Sequence, residues 1–170
     1  FDPSQPAETA SVHDSVAYKE MALRFSVDQL VGAGLSLGAV YQVSQADLDD
    51  TFPEVNPDAE VYGGFQRETH WQSLMHALEL HAIYSHPSGF FTEAEALWHA
   101  QSNRGRTPEM GGADFWQYNA WVGYRLLQRR VELALGLLNV GGQDYKLSPL
   151  NLYHPLPRSR TLAVRVQLSF

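Results

Sequence analysis

Hydrophobic and polar residues alternate at the end of the chain, where the sequence reads TLAVRVQLSF over residues 161–170. One series of positions is entirely apolar and comprises Leu162, Val164, Val166, Leu168 and Phe170. The other series is small or polar, so the period is two and the pattern predicts a β-strand with two unlike faces. The same alternation predicts six further strands, over residues 18–28, 35–45, 74–84, 90–101, 115–126 and 131–138. No segment has the period of a convincing helix.

The links between these predicted strands alternate in length. Short turns precede the second, fourth and sixth strands, whereas long polar loops occupy residues 45–70, 102–114 and 139–160. Short turns at one end of a sheet and long loops at the other are typical of antiparallel outer-membrane barrels. A soluble barrel of the lipocalin type would instead turn its apolar face inward, and the alternation alone leaves this choice open.

Composition favours lipid at the apolar face. Charged residues make up only 18% of the 170 residues, and the polar series is rich in Gly, Ala, Ser, Gln and Asn. A water-facing exterior would carry more charges, since soluble domains average about 25%. Tyr and Trp recur near the predicted strand ends, as they do at the two interfaces of a bilayer. We therefore predict an all-β fold, an antiparallel up-and-down transmembrane β-barrel over residues 16–170 that follows an irregular segment at residues 1–15.

Charge and composition also exclude several other classes of protein. The net charge of −7 argues against a nucleic-acid partner, which would require a basic surface. Cysteine is absent, so neither a disulfide framework nor a thiolate metal site is available. No run of about 20 apolar residues occurs, which excludes a transmembrane helix. No cofactor is expected.

The end of the chain resembles the tail of a known family. Residues 136–170 carry an Asn-to-Tyr element followed by a Pro-Arg-x-Arg stretch and the last strand, at Asn139, Asp144, Tyr145, Pro157, Arg158 and Arg160. This arrangement is similar to the C-terminus of TonB-dependent receptors and of outer-membrane porins that carry tetratricopeptide repeats. A last strand that ends in Phe also resembles the insertion signal of bacterial outer-membrane proteins. The resemblance implies a bacterial outer-membrane barrel, a transport pore or receptor that moves solutes or polymer. Within residues 1–170 we find neither a plug domain nor a TonB box, both of which such receptors carry upstream of the barrel.

The predicted number of strands is odd, and this indicates that the chain has partners in a barrel. Outer-membrane barrels usually have an even number of strands with both termini in the periplasm. We therefore expect these seven strands to belong to a larger barrel, completed by remaining strands or by other subunits. The other expected partners are outer-membrane lipid, the barrel assembly machinery and lipopolysaccharide, which Arg158 and Arg160 could contact.

The polar series contains the candidate functional residues. The side chains predicted to face the lumen are Arg24, Glu79, His81, Glu93, Glu95, His99, Arg125, Glu132 and Arg165. Folding about the short turns sets Arg125 opposite Glu132 and His81 opposite Glu95. A His and Glu cluster could bind a metal or act as acid and base. A solvated or salt-bridged pore wall is the commoner arrangement, so no metal site is predicted.

An interfacial enzyme is the remaining alternative. His76 breaks the apolar series near Ser73, and a Ser and His pair at the lipid interface could act in hydrolysis. An interfacial His near a strand end is the simpler explanation. The prediction is therefore a barrel without catalytic residues.

Overall fold

The chain folds into a single antiparallel sheet, seen in a computed structural model that describes residues 12–55, 66–105, 109–127 and 130–169. The strands within these ranges are β1 (Ser15–Val31), β2 (Leu35–Thr51), β3 (Glu68–Ser85), β4 (Phe90–Arg104), β5 (Ala113–Leu126), β6 (Val131–Leu138) and β7 (Thr161–Leu168). Each strand pairs with the next one along the chain, in the order β1 to β7. This confirms the prediction of an all-β fold with up-and-down antiparallel strands. None of the described residues belongs to a helix that could cross a membrane.

The register of the sheet agrees with the partners expected from the turns. Arg125 lies opposite Glu132, and His81 lies opposite Glu95. Within the described sheet β1 and β7 are the outer strands, and each has a neighbour on one side only. The sheet is therefore open.

The strands extend further than the alternation predicts. β2 continues to Thr51 and β3 begins at Glu68, so both ends of the loop predicted at residues 45–70 are strand. Asp47 of β2 still lies opposite Gln72 of β3 in this region. The outward series turns polar there, at Gln45, Asp47 and Asp49, whereas Ala46 and Leu48 stand in the other series. The apolar series that marks the rest of β2 therefore stops at Val43, and the pattern gives no sign that the strand continues.

The other predicted boundaries differ less. The loop predicted at 102–114 shortens, because β4 ends at Arg104 and β5 begins at Ala113. The link at 139–160 has the expected bounds, between the ends of β6 and β7. The segment predicted to be irregular covers residues 1–15, and its residues 1–11 lie outside the described residues. Phe170, predicted to end the last strand, also lies outside them.

The two faces of the sheet have opposite surroundings. The apolar series is exposed, and Leu162, Val164 and Val27 keep 85%, 72% and 64% of their surface accessible. The link at 139–160 covers part of the opposite face, whereas β1 is exposed on both faces along most of its length. The buried polar residues of that opposite face, together with those of the link, are Ser44, Ser73, His99, Gln101, Gln117, Asn119, Asn139, Ser148 and Asn151. A soluble antiparallel sheet does the reverse, since it packs its apolar face on the core.

Glycine makes room for aromatic rings on the covered face. Gly123 of β5 lies opposite Phe91 of β4, whose side chain is fully buried. A Cβ at Gly123 would lie 2.6 Å from the carbonyl oxygen of Leu133 and closer still to the Phe91 ring. Gly136 of β6 accommodates the ring of Trp121 in the same way.

We expect Gly123→Ala to destabilise the protein by about 1–3 kcal/mol, because the added methyl has no space beside the Phe91 ring and a backbone oxygen. The free energy of unfolding, measured by denaturant titration in detergent, checks this. Gly111→Ala is the control, since a Cβ at Gly111 would meet nothing within 4 Å. Equal stability of the two variants would contradict the packing described above.

Candidate functional site

The link between β6 and β7 folds back over the polar face of the sheet. We call residues 139–160 the inward connection and the polar face beneath it the polar wall. Asn139 fixes its beginning and is completely buried, with a φ of 51°. Its backbone N–H donates to the side-chain oxygen of Asn119 on β5, at 2.9 Å. Its side-chain amide donates to the carbonyl oxygens of Gln143 and Pro157, both at 2.9 Å. One residue thus ties the start of the connection to its end.

Tyr145 supports the same part of the connection. Its ring stacks on Phe115 of β5, with centroids 5.1 Å apart. Its hydroxyl donates to the carbonyl oxygen of Leu156 and accepts a hydrogen bond from the N–H of the same residue, at 2.8 and 3.0 Å. The guanidinium of Arg158 lies 5.2 Å from the centre of the ring. Asn139, Tyr145, Pro157 and Arg158, four of the residues that carry the resemblance, therefore help to hold the connection in place.

Asn151 anchors the middle of the connection. Its side-chain amide donates to Ser44 Oγ of β2 at 3.0 Å and to the Ser73 carbonyl oxygen of β3 at 3.4 Å. Its side-chain oxygen accepts a hydrogen bond from Gln101 of β4, at 3.0 Å. Gln101 in turn accepts a hydrogen bond from the backbone N–H of Ser148, at 2.6 Å. The amide of Asn151 therefore joins three strands through buried hydrogen bonds.

Four of the predicted lumen-facing residues form a charge network near the short turns. Arg165 Nη2 lies 2.6 Å from Glu93 and 3.1 Å from Glu132, and Arg125 Nε lies 2.8 Å from Glu132. The guanidinium of Arg125 also lies over the ring of Phe91, at 4.3 Å. Each of the two carboxylates has an arginine partner, so the charges within this part of the polar wall balance one another.

Of the remaining predicted residues, Arg24, Glu79 and His99 line one cavity, described below, whereas His81 and Glu95 do not. His81 Nε2 lies 2.8 Å from Asp28, and His81 Nδ1 lies 3.9 Å from Glu79. Glu95 accepts a hydrogen bond from Asn119, at 2.9 Å. Among the described residues there is no group of three or more His, Cys, Asp or Glu that could hold a metal ion.

His99 and Arg24 form no ion pair with another described residue. The His99 ring stacks on Phe115, with centroids 5.5 Å apart. Arg24 lies in the same row of the polar wall, opposite Gln42 of β2. Its side chain forms no hydrogen bond or ion pair with any other described residue.

The structure separates the two residues of the enzyme alternative. Ser73 is buried on the polar wall and its hydroxyl donates to Asn103, at 2.8 Å. His76 belongs to the opposite, apolar series and its Nδ1 lies 2.7 Å from the hydroxyl of Tyr41. Residues three apart on a strand point to opposite faces, so this Ser and His pair cannot work together.

A cavity remains between the polar wall and the inward connection. Its volume is about 500 Å³, and it is bounded by β1 to β4 on one side and by residues of the stretch 152–156 on the other. The sequence analysis missed the side chains that anchor the inward connection to the sheet, in particular Ser44, Gln101 and Asn151. The clue was the neutral character of the polar series, in which amides and hydroxyls outnumber charges.

No protein-family model, curated protein or solved structure matches the chain. The resemblance of residues 136–170 to outer-membrane receptors and porins therefore stays a prediction made from the residues themselves.

We expect Asn151→Ala to loosen the inward connection, since it leaves Gln101 and Ser44 buried with fewer partners. The cost should be about 1–3 kcal/mol. Lys146 is exposed within the connection, so trypsin cleavage after this residue should become faster. Gln167→Ala is the control, because Gln167 is exposed and forms no hydrogen bond with another described residue. Unchanged cleavage in Asn151→Ala would contradict the anchoring role.

Proposed function

We propose that the chain is part of a β-barrel of the bacterial outer membrane, a transport pore or receptor through which solutes or polymer cross. One observation carries the proposal: the apolar face of the sheet is exposed, whereas the polar face is partly covered and hydrogen-bonded to the inward connection. In water, an exposed apolar area across seven strands would be unfavourable. In hydrocarbon, the same face is in its preferred solvent.

The extent of the apolar face supports a bilayer. On β2 the outward series is apolar from Leu35 to Val43 and then turns polar at Gln45. On β3 it is apolar or aromatic from Tyr84 back to Leu74 apart from His76, and Gln72 follows. Such stretches match the about 9–11 residues that a spanning strand needs. The polar strand ends beyond them would stand above the membrane on the side of the long loops.

Aromatic side chains lie at both limits of this apolar band. Tyr84 and Tyr124 mark the end with the short turns, and both are exposed. Tyr41, Trp98 and Trp116 mark the other end, where the two indole rings lie 6.4 Å apart. Tyr and Trp favour the level of the lipid headgroups, because one end of each ring is apolar and the other is polar.

The outer strands of the sheet bear on the partners of the chain. An unpaired edge in hydrocarbon leaves backbone groups without hydrogen bonds, at several kcal/mol for each group. The free edges of β1 and β7 should therefore pair with remaining strands of the barrel or with other subunits. Outer-membrane lipid would contact the apolar face. Lipopolysaccharide at the rim near Arg158 and Arg160, and the assembly machinery that inserts such barrels, are the other expected partners.

The polar wall suits the interior of a transport barrel. It carries ion pairs and neutral amides, and the inward connection narrows the space in front of it. A soluble ligand-binding barrel would need the apolar series on its inner face, against the burial described above. The interfacial enzyme loses its candidate pair, since Ser73 and His76 lie on opposite faces. A barrel without catalytic residues remains the proposal.

Val164→Arg tests the lipid contact. We expect a loss of about 2–4 kcal/mol in the stability of the protein folded into lipid vesicles, because the guanidinium would enter hydrocarbon. Gln167→Arg is the control, since this side chain belongs to the polar series of the same strand. Denaturant titration of the complete natural gene product in vesicles measures both variants. Equal losses would refute the assignment of the faces.

A solute-release assay tests the transport function. The complete natural gene product, reconstituted in vesicles, should let a small sugar pass, and the swelling rate of the vesicles measures this. Replacing residues 146–156 with a short Gly-Ser linker should raise the rate, since it removes the part of the connection that covers the polar wall. Folded, inserted protein that leaves the vesicles impermeable in both forms would overturn the pore.

A further inference from the structure

The cavity between the polar wall and the inward connection has the size of a small-molecule site. Its volume of about 500 Å³ lies within the range of about 300–1,000 Å³ that is usual for ligand pockets. Its apolar lining comes from both sides, and comprises Val40, Met75, Leu97, Leu152 and Leu156. The polar groups of the lining also come from both sides, and they are Arg24, Gln42, Glu79, His99, Tyr153 and His154.

The floor of the cavity is one row of residues across four strands. Arg24 lies opposite Gln42, Gln42 opposite Ala77, and Ala77 opposite His99. Ala77 is the small member of this row, and the space above its methyl group is part of the cavity. Larger side chains on either side of it supply the walls.

Two charged groups line the cavity on different strands. The guanidinium of Arg24 on β1 forms no hydrogen bond or ion pair with another described residue. Among the described residues, the carboxylate of Glu79 on β3 lies within 4 Å of one basic side chain, His81, whose Nδ1 is 3.9 Å away and whose Nε2 lies closer to Asp28, at 2.8 Å. The backbones of β1 and β3 lie two strand spacings apart, about 10 Å. A cation and a carboxylate thus face the same apolar space from separate positions.

We infer that this cavity binds a small zwitterion with apolar side chains, about the size of a dipeptide. The carboxylate of the ligand would pair with Arg24 and its ammonium group with Glu79. Its side chains would contact Leu97, Leu152 and Leu156. The inference names a solute class for the proposed function and rests on that function only in placing the cavity on a transport path.

Titration calorimetry with leucyl-leucine tests the inference, on the complete natural gene product in detergent. Leucyl-leucine should bind, whereas leucyl-leucine amide and N-acetyl-leucyl-leucine should each bind about tenfold more weakly, because each lacks one charge. Arg24→Gln should make leucyl-leucine and its amide bind equally weakly. Lys19→Gln is the matched control, since it removes a cation from the opposite face of β1 and should change nothing. Glu79→Gln should abolish the discrimination against the acetylated peptide.

Filling the cavity gives a second test that does not depend on charge. Ala77→Leu should abolish binding, whereas Ala82→Leu, on the outer face of β3, should leave it unchanged. Lack of binding by the unmodified protein, or the same affinity for all three peptides, would overturn the inference. Binding in detergent is measured without a bilayer, so its failure is distinguishable from a failure of the solute-release assay.

Discussion

The side-chain amide of Asn151 forms the interaction on which the arrangement of this molecule depends. Asn151 belongs to the inward connection, and its amide packs against the polar wall. There it forms hydrogen bonds with Ser44, Ser73 and Gln101, which lie on three adjacent strands. A buried amide is stable only when its donors and acceptors are satisfied. Because the inward connection satisfies them, the polar face of the sheet can be the packed face. Its other face is then left to the surroundings.

The exposed apolar face follows from the same constraint. A sheet has two faces, and residues with a period of two cannot place their apolar series on the packed face when the polar series is already there. Leu162 and Val164 on β7 are among the most exposed side chains. An apolar solvent would suit that side better than water, and this is the physical basis of the proposed membrane location.

The tail motif gains a physical explanation from the structure. Asn139 and Tyr145 are separated in sequence from Leu156 and Pro157, yet they hydrogen-bond to the backbone of these residues. They close the inward connection on itself and set it against β5. A short sequence motif can therefore specify a long irregular segment, because a few side chains supply its main-chain partners.

Local patterns in the sequence were sufficient to predict much of the fold. The alternation predicted seven antiparallel strands, the two series of each strand, and the pairing of Arg125 with Glu132. Each of these depends on neighbouring residues or on a short turn. The ends of β2 and β3 beyond the apolar band were missed, because the outward series that marks each strand turns polar there.

Only the tertiary structure decided which residues of the sheet the inward connection contacts. The hydrogen bond from Asn151 to Ser44 joins residues 107 positions apart, and no local pattern encodes such a contact. For the same reason, the sequence did not predict which of the charged residues, apart from the pairs set by the short turns, would lie close to one another. Glu93, Glu132 and the two arginines came together across strands, whereas Arg24 and Glu79 were left facing a cavity. Alternation fixes the face on which a side chain lies, but its partners depend on how distant segments pack.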